Sequence, residues 1–289
     1  MTQISAPTAP LPGVRNRSVE LPNGLRHHFV EVGSDGPPLV LLHGYTDSWR
    51  SFEPLFARLG QQFRLLVLDQ RGHGGSDAAE QYAIADFAGD AIGFIEAVVG
   101  GPVHLAGHSL GSIVAQRVAA RRTDLVRSLV LIGAAPDAAG HAGLLELRTE
   151  LAGLSSTIPR DFIEAFQKGT TFAQLSDPQL AIFVEESLKL APETWRKVLD
   201  GLVDERAPPR QTLNLPALAL WGAQDSVFDE GTQIRLARHI PDLTAIHYPA
   251  IGHAPHWESP ARAAQDIANF LAAVEEETVA AKKDDRHHA

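Results

Sequence analysis

Six short apolar runs, at residues 38–42, 63–68, 103–106, 128–132, 217–221 and 244–248, alternate along the chain with longer segments of helical period. Four of them are nearly unbroken Val, Ile and Leu. Strands of that kind have no face suited to water, so they require helices on both sides of a sheet and pair in parallel through helical crossovers. Helices are predicted at 49–59, 84–99, 110–121, 230–239 and 260–276. Upstream, the segments 18–21 and 26–32 flank Pro22-Asn23-Gly24, a turn signal that predicts an antiparallel hairpin at the sheet edge. The expected class is α/β: a mostly parallel, twisted eight-stranded sheet flanked by helices.

One interval breaks the alternation. Between the runs ending at 132 and starting at 217 lie roughly eighty residues without a strand signal, far more than an ordinary connection. Segments 143–152, 159–168, 178–190 and 192–203 have helical spacing, with Pro or Gly near their starts or between them. This predicts a helical cap at 134–213, inserted after the sixth strand, with 1–133 and 214–289 forming the core. From Glu275 the chain is highly charged and reads as a frayed, solvated end.

Composition removes several function classes. A formal charge of -10 leaves no surplus of Lys and Arg to neutralise phosphates, so neither nucleic acid nor an anionic membrane is the expected partner. With no cysteine, disulfides, thiolate metal sites and a thiol nucleophile are excluded. The first 17 residues hold three prolines and no apolar block, unlike a secretory signal, and no run is long enough to span a bilayer. A cytoplasmic monomer or homodimer is expected.

Gly107-His108-Ser109-Leu110-Gly111 sits between the run 103–106 and a helical stretch, which places one serine on a sharp strand-to-helix turn. Small residues two positions either side are needed where larger side chains would strike the neighbouring chain. A serine hydroxyl needs a general base, and the base needs a group to orient it. Asp225 lies just past the run 217–221 and His253 just past 244–248, so in a parallel sheet both loops open on the rim that carries Ser109. Asp137 and Asp229 are the other candidates for the acid, and His256 competes with His253 for the base. A His253-x-x-His256 pair could in principle ligate a metal, but no carboxylate cluster at ligand spacing accompanies it. His104 reads as a core or interface histidine. For the oxyanion of an acyl-transfer reaction, the backbone N–H of Leu110 is one expected donor and that of Tyr45, in the turn His43-Gly44-Tyr45-Thr46, the other.

Together these residues resemble the α/β-hydrolase superfamily, in order from about residue 30 to 270. His43-Gly44 looks like its oxyanion turn, Asp69 to Ser76 like its second loop, Gly107 to Gly111 like its nucleophile elbow, Asp225 like its acid and Gly252-His253 like its base. The resemblance implies that the insert is a lid over the site and that no metal or organic cofactor is used. Serine at 109 argues against the dehalogenase and epoxide hydrolase branches, which use aspartate there. The expected activity is therefore an esterase or lactonase acting on a small neutral ester through an acyl-enzyme on Ser109. Carbon-carbon hydrolysis of a vinylogous diketone and a slow ligand-sensing receptor are the alternatives, since fold and triad do not fix substrate. Trp49, His108 and Trp257 are expected to contact substrate, with Tyr45 at the wall. Phe162, Phe166, Phe172, Phe183 and Trp195 supply the large apolar side chains of the cap.

Overall fold

The computed structural model describes residues 13–33, 35–154, 156–205 and 212–287; the N-terminal twelve residues, part of the segment read above for a leader, lie outside that set. The strands are β1 (Val14–Glu20), β2 (Arg26–Val32), β3 (Pro38–Leu42), β4 (Arg64–Leu68), β5 (Val103–His108), β6 (Val126–Ile132), β7 (Ala217–Gly222) and β8 (Leu243–Tyr248). They form one eight-stranded sheet in the order β1-β2-β4-β3-β5-β6-β7-β8. β1 and β2 make the expected antiparallel hairpin, and β2 is antiparallel to β4. All remaining pairings are parallel.

The helices are α1 (Phe56–Leu59), α2 (Ile84–Phe94), α3 (Leu110–Arg121), α4 (Ala142–Gly153), α5 (Arg160–Gly169), α6 (Asp177–Leu188), α7 (Pro192–Val203), α8 (Glu230–His239), α9 (Pro255–Glu258) and α10 (Pro260–His287). Successive side chains of a strand point to opposite faces, and here both faces are covered. Val40 and Leu42 of β3 join Phe87, Phe94, Ile113 and Val118 of α2 and α3 in one apolar core. Leu39 and Leu41 join Phe56, Leu59, Ile267 and Leu271 of α1 and α10 in a second. That two-sided burial is why these runs carry no polar alternation.

Helices α4 to α7 fill the interval between β6 and β7, and Leu151, Ile163, Val184 and Trp195 extend the first core into this cap. Two local expectations need correction. The segment from Trp49 is not one α-helix: Trp49–Leu55 is a 3-10 turn containing Pro54, which has no N–H for an i→i−4 bond. Nor does the chain fray at Glu275. α10 continues through it, and its carboxylate bonds His104 Nε2 at 3.1 Å and Arg127 Nη1 at 2.8 Å. His104 also bonds Ser128 Oγ at 2.8 Å, so its role is structural.

β3 has β4 on one side and β5 on the other, so the strand order reverses there and a crevice opens at the carboxyl ends of the strands. The loops after β3, β5, β7 and β8 all leave at this rim. Among the described residues, no helix is long and apolar enough to cross a membrane.

Candidate active site

Ser109 follows β5 directly and precedes the first residue of α3, with φ 50° and ψ -115°. A non-glycine residue held there costs about 1–3 kcal/mol, which the surroundings must offset. The Ser109 N–H donates to the Ile132 carbonyl at 3.0 Å, and the Ser112 hydroxyl donates to the Ser109 carbonyl at 2.6 Å. The bracketing glycines are required by contact. A Cβ on Gly107 would collide with the Gly111 carbonyl, and a Cβ on Gly111 with the Leu42 carbonyl.

His253 Nδ1 donates to Asp225 Oδ2 at 2.9 Å, and both side chains are buried. The other carboxylate oxygen accepts the N–H groups of Val227 and Phe228 at 2.8 and 2.9 Å. Burial by itself would raise the Asp225 pKa; the His253 charge and hydrogen bond, with the two N–H groups, bring the net shift below the ordinary carboxylate value. The Asp225 carboxylate is thus held ionised and aimed at the imidazole. The competing acids are committed elsewhere: Asp137 accepts the Ala139 N–H at 3.2 Å, and Asp229 caps α8 through the Thr232 N–H at 2.8 Å. His256 bonds Ser51 Oγ at 3.1 Å, and burial followed by the charges of His108 and His253 lowers its pKa well below the usual value.

The turn after β3 is braced by two histidines acting as acceptors. His43 Nε2 receives the Gln70 N–H at 3.0 Å, and His73 Nε2 faces the Thr46 N–H at 3.4 Å. Burial first, and the charge of His43 second, lower the His73 pKa to about 3, so the ring stays neutral and keeps its lone pair. Thr46 itself has φ 69°. Tyr45 anchors the turn to the cap, its hydroxyl donating to the Trp195 carbonyl at 2.7 Å.

Ser109, His253, Tyr45 and Leu110 line one cavity of about 60 Å³, together with Asp47, His108, Phe166, Gln167, Phe228 and Trp257. An outer groove of about 390 Å³, walled by Leu144, Leu147, Phe162, Phe166 and Val227, adjoins it through shared residues. A larger groove, about 870 Å³ beside Tyr82, Arg117 and α7, contains none of Ser109, Asp225 and His253. Site geometry, not size, singles out the small chamber.

Of the side chains expected at the substrate, His108 and Trp257 reach the chamber and Trp49 does not. The 3-10 turn carries the Trp49 indole onto Phe56, stacked at 6.1 Å, with the Arg50 guanidinium 4.3 Å from its ring centroid. Among the cap aromatics, Phe166 lines the chamber and Phe162 the outer groove, whereas Phe172 is 59% exposed. Phe183 stacks on Trp257 at 3.9 Å, and Trp195 is buried against Tyr45.

Asp47, Gln167 and Glu258 escaped the sequence reading. A polar residue four places after Ile163 on an otherwise apolar helix face was the signal for Gln167. Glu258 collects the N–H groups of Gly252 at 3.0 Å, Phe172 at 2.9 Å and Ala173 at 2.7 Å, fastening the cap to the loop of His253. Among the described residues, no group of three or more His, Asp or Glu could hold a metal ion.

The α/β hydrolase fold family model matches residues 37–260. A 2-(acetamidomethylene)succinate hydrolase of Mesorhizobium japonicum is 30% identical over 258 residues, covering 83% of this chain and 90% of that protein. A pimeloyl-[acyl-carrier protein] methyl ester esterase of Chromobacterium violaceum is 28% identical over 250 residues, covering 78% and 91%. An esterase from Exiguobacterium antarcticum superposes with a TM-score of 0.79 at 20% identity, over 89% of this chain and 99% of that one, a likeness of fold. With the matched span enclosing the strained serine, its flanking glycines and the His253 loop, the chain belongs to the α/β-hydrolase family.

Proposed function

We propose that the protein is a serine hydrolase that cleaves a carboxylic ester or lactone through an acyl-enzyme on Ser109. The observation that carries this reading is the placement of Ser109, in its strained turn, in one chamber with a His253 whose Nδ1 is held by Asp225 at 2.9 Å. His253 Nε2 takes the Ser109 proton as Oγ attacks the carbonyl carbon. The oxyanion is held by the N–H groups of Leu110, at the positive end of α3, and Tyr45. His253 then gives its proton to the leaving alkoxide, and the C–O bond breaks. Water, deprotonated by His253, attacks the acyl-serine and releases the acid, so one ester and one water yield one acid and one alcohol. Residues 134–213 serve as the lid.

A neutral substrate fits the walls. Among the described residues lining the chamber and the outer groove there is no Lys or Arg to meet a carboxylate. This separates the chain from a dicarboxylate such as the succinate named for its relative, although the same acyl-enzyme chemistry could act on an acyl-nitrogen bond. The reading includes a cytoplasmic location. Ser109→Ala is expected to abolish turnover of p-nitrophenyl acetate, and a fluorophosphonate should label Ser109 in the wild type only. Unchanged turnover in the variant would remove the nucleophile.

A further inference from the structure

Asp47 and His108 line the chamber and have no part in the triad. Both are buried, at 2% and 3% exposure, with Asp47 Oδ2 3.7 Å from His108 Nδ1. Asp47 Oδ2 accepts a long bond from Ser51 Oγ at 3.4 Å. Asp47 Oδ1 and both ring nitrogens of His108 have no hydrogen-bond partner among the described residues. Two neighbours act on the pair without completing such a bond. The Gln167 side chain lies near Asp47, but its Nε2 is committed to Ser187 Oγ at 2.9 Å, and the His253 backbone lies near the His108 ring. Gly44 packs against both groups: a Cβ there would come within 2.8 Å of His108 Nδ1 and 2.9 Å of Asp47 Oδ2.

Buried polar atoms are as a rule hydrogen-bonded, because leaving one unmatched forfeits its hydration without return, so three unmatched atoms together call for an external partner. Burial raises the Asp47 pKa to about 6 and lowers that of His108 well below its usual value. Near neutral pH the carboxylate is mostly ionised and only accepts, while the neutral ring has one N–H to give and one lone pair. On a substrate, the smallest group that donates to Asp47 and accepts from His108 at once is a hydroxyl. The chamber, at about 60 Å³, is much smaller than the outer groove of about 390 Å³, so the smaller part of the substrate belongs in it. The leaving alcohol must depart first and has the larger outer groove, which leaves the chamber to the acyl group retained on Ser109.

We propose that Asp47 and His108 form a recognition site for a hydroxyl on a short acyl chain, making hydroxyacyl esters or their lactones the preferred substrates. The proposal rests on the ester-hydrolase reading above. Its test compares kcat/KM for ethyl glycolate with ethyl propionate, and for ethyl 3-hydroxypropionate with ethyl butyrate. Within each pair a methyl replaces the hydroxyl, and each value is divided by the ester's own alkaline hydrolysis rate. The wild type is expected to favour the hydroxy ester about tenfold or more in at least one pair. That ratio should fall to about one in Asp47→Leu and in His108→Leu, with folding checked by thermal melts. Asp47→Asn, which keeps the volume, substitutes if Asp47→Leu does not fold, and again a lower ratio is expected. A wild-type ratio near one in both pairs, or a ratio unmoved by the substitutions, overturns the hydroxyl site and leaves the esterase reading standing. If none of the four esters is turned over, the esterase reading fails instead. Calorimetric binding of ethyl glycolate and ethyl propionate to Ser109→Ala then decides, since preferential binding of the glycolate supports the site and equal or absent binding overturns it.

Discussion

The backbone N–H of His253 donates to the Thr170 carbonyl at 2.9 Å, joining the proposed base to the C-terminal end of α5 in the cap. Two further bonds run in parallel, from Ser226 Oγ to the Gly169 carbonyl at 3.1 Å and from the Phe172 N–H to Glu258 at 2.9 Å. The cap is therefore a structural part of the base's loop as well as a cover over it.

Removing the Glu258 carboxylate should show this coupling. Glu258→Ala leaves the Gly252, Phe172 and Ala173 N–H groups without their acceptor and is expected to cost about 2 kcal/mol of stability. It should also lower kcat on a short ester by about tenfold or more, because the imidazole is displaced from its working position. Chemical denaturation and steady-state kinetics on the same preparation measure both. Loss of stability with undiminished kcat would show that the loop holds its shape without the cap.

Among the three aspartates first considered as the acid, only Asp225 reaches an imidazole. Asp225→Asn is expected to lower kcat by about 10⁴-fold while leaving the fold intact, since the amide cannot stabilise the charged ring in the same way. Asp137→Asn and Asp229→Asn should remain within about threefold of wild type. A larger loss in either would move the acid.

The elbow leaves no room for a single added carbon. Gly111→Ala would drive its methyl into the Leu42 carbonyl of β3, pushing the first turn of α3 away from that strand at the rim. The expected result is a loss of about 3 kcal/mol or more, or failure to accumulate as folded protein. Gly153→Ala, where a Cβ meets nothing within 4 Å, serves as the matched control and should be nearly neutral.

Asp47 gives a pH signature opposite to that of a paired carboxylate. Its pKa is raised on folding, from near 4 in the unfolded chain to about 6, so the folded state holds its proton more tightly. Stability from this group is fully present below about pH 4 and declines as the pH rises through 6, for a total of up to about 3 kcal/mol. Asp47→Asn should accordingly be more stable than wild type at pH 7.5, with the gap closing by pH 4.5. Asp225, whose pKa is lowered, behaves in the reverse sense: its contribution is present above the ordinary carboxylate range and is lost as pH falls through its folded value. Urea titrations of wild type and Asp47→Asn at the two pH values test the first sign, and titrations of wild type and Asp225→Asn taken from pH 4.5 to below pH 4 test the second.

Strand positions were legible because burial on both faces leaves an unbroken apolar run, as at Val40 and Leu41. Ser109, Asp225 and His253 could be assigned to one rim from the sequence because each lies in the loop that follows a predicted strand. What could not be read was the direction in which loop side chains turn. Trp49 stands four residues beyond Tyr45, but the turn containing Pro54 sends it to the opposite face of the sheet. Asp47 lies in Thr46-Asp47-Ser48, a stretch that by composition suits solvent, and its burial follows from the segment after β3, the end of β5 and the cap meeting there. Glu275 illustrates a different limit: a charged segment looks solvated until His104 and Arg127, distant in sequence, are found beside it.

The cap leaves the core at β6 and re-enters at β7, and those two strands are hydrogen-bonded neighbours, with Leu129 opposite Ala217 and Ile132 opposite Leu220. Because the pair is parallel, the insert runs from the carboxyl end of β6 to the amino end of β7, and such a crossover can be exchanged for another of different length without altering the register of the two strands. Diversification of substrate in such a scaffold can therefore proceed by grafting caps. The graft is constrained where the cap meets the loop of His253, because any replacement must again present a carbonyl where Thr170 now meets His253 and N–H groups where Phe172 and Ala173 meet Glu258.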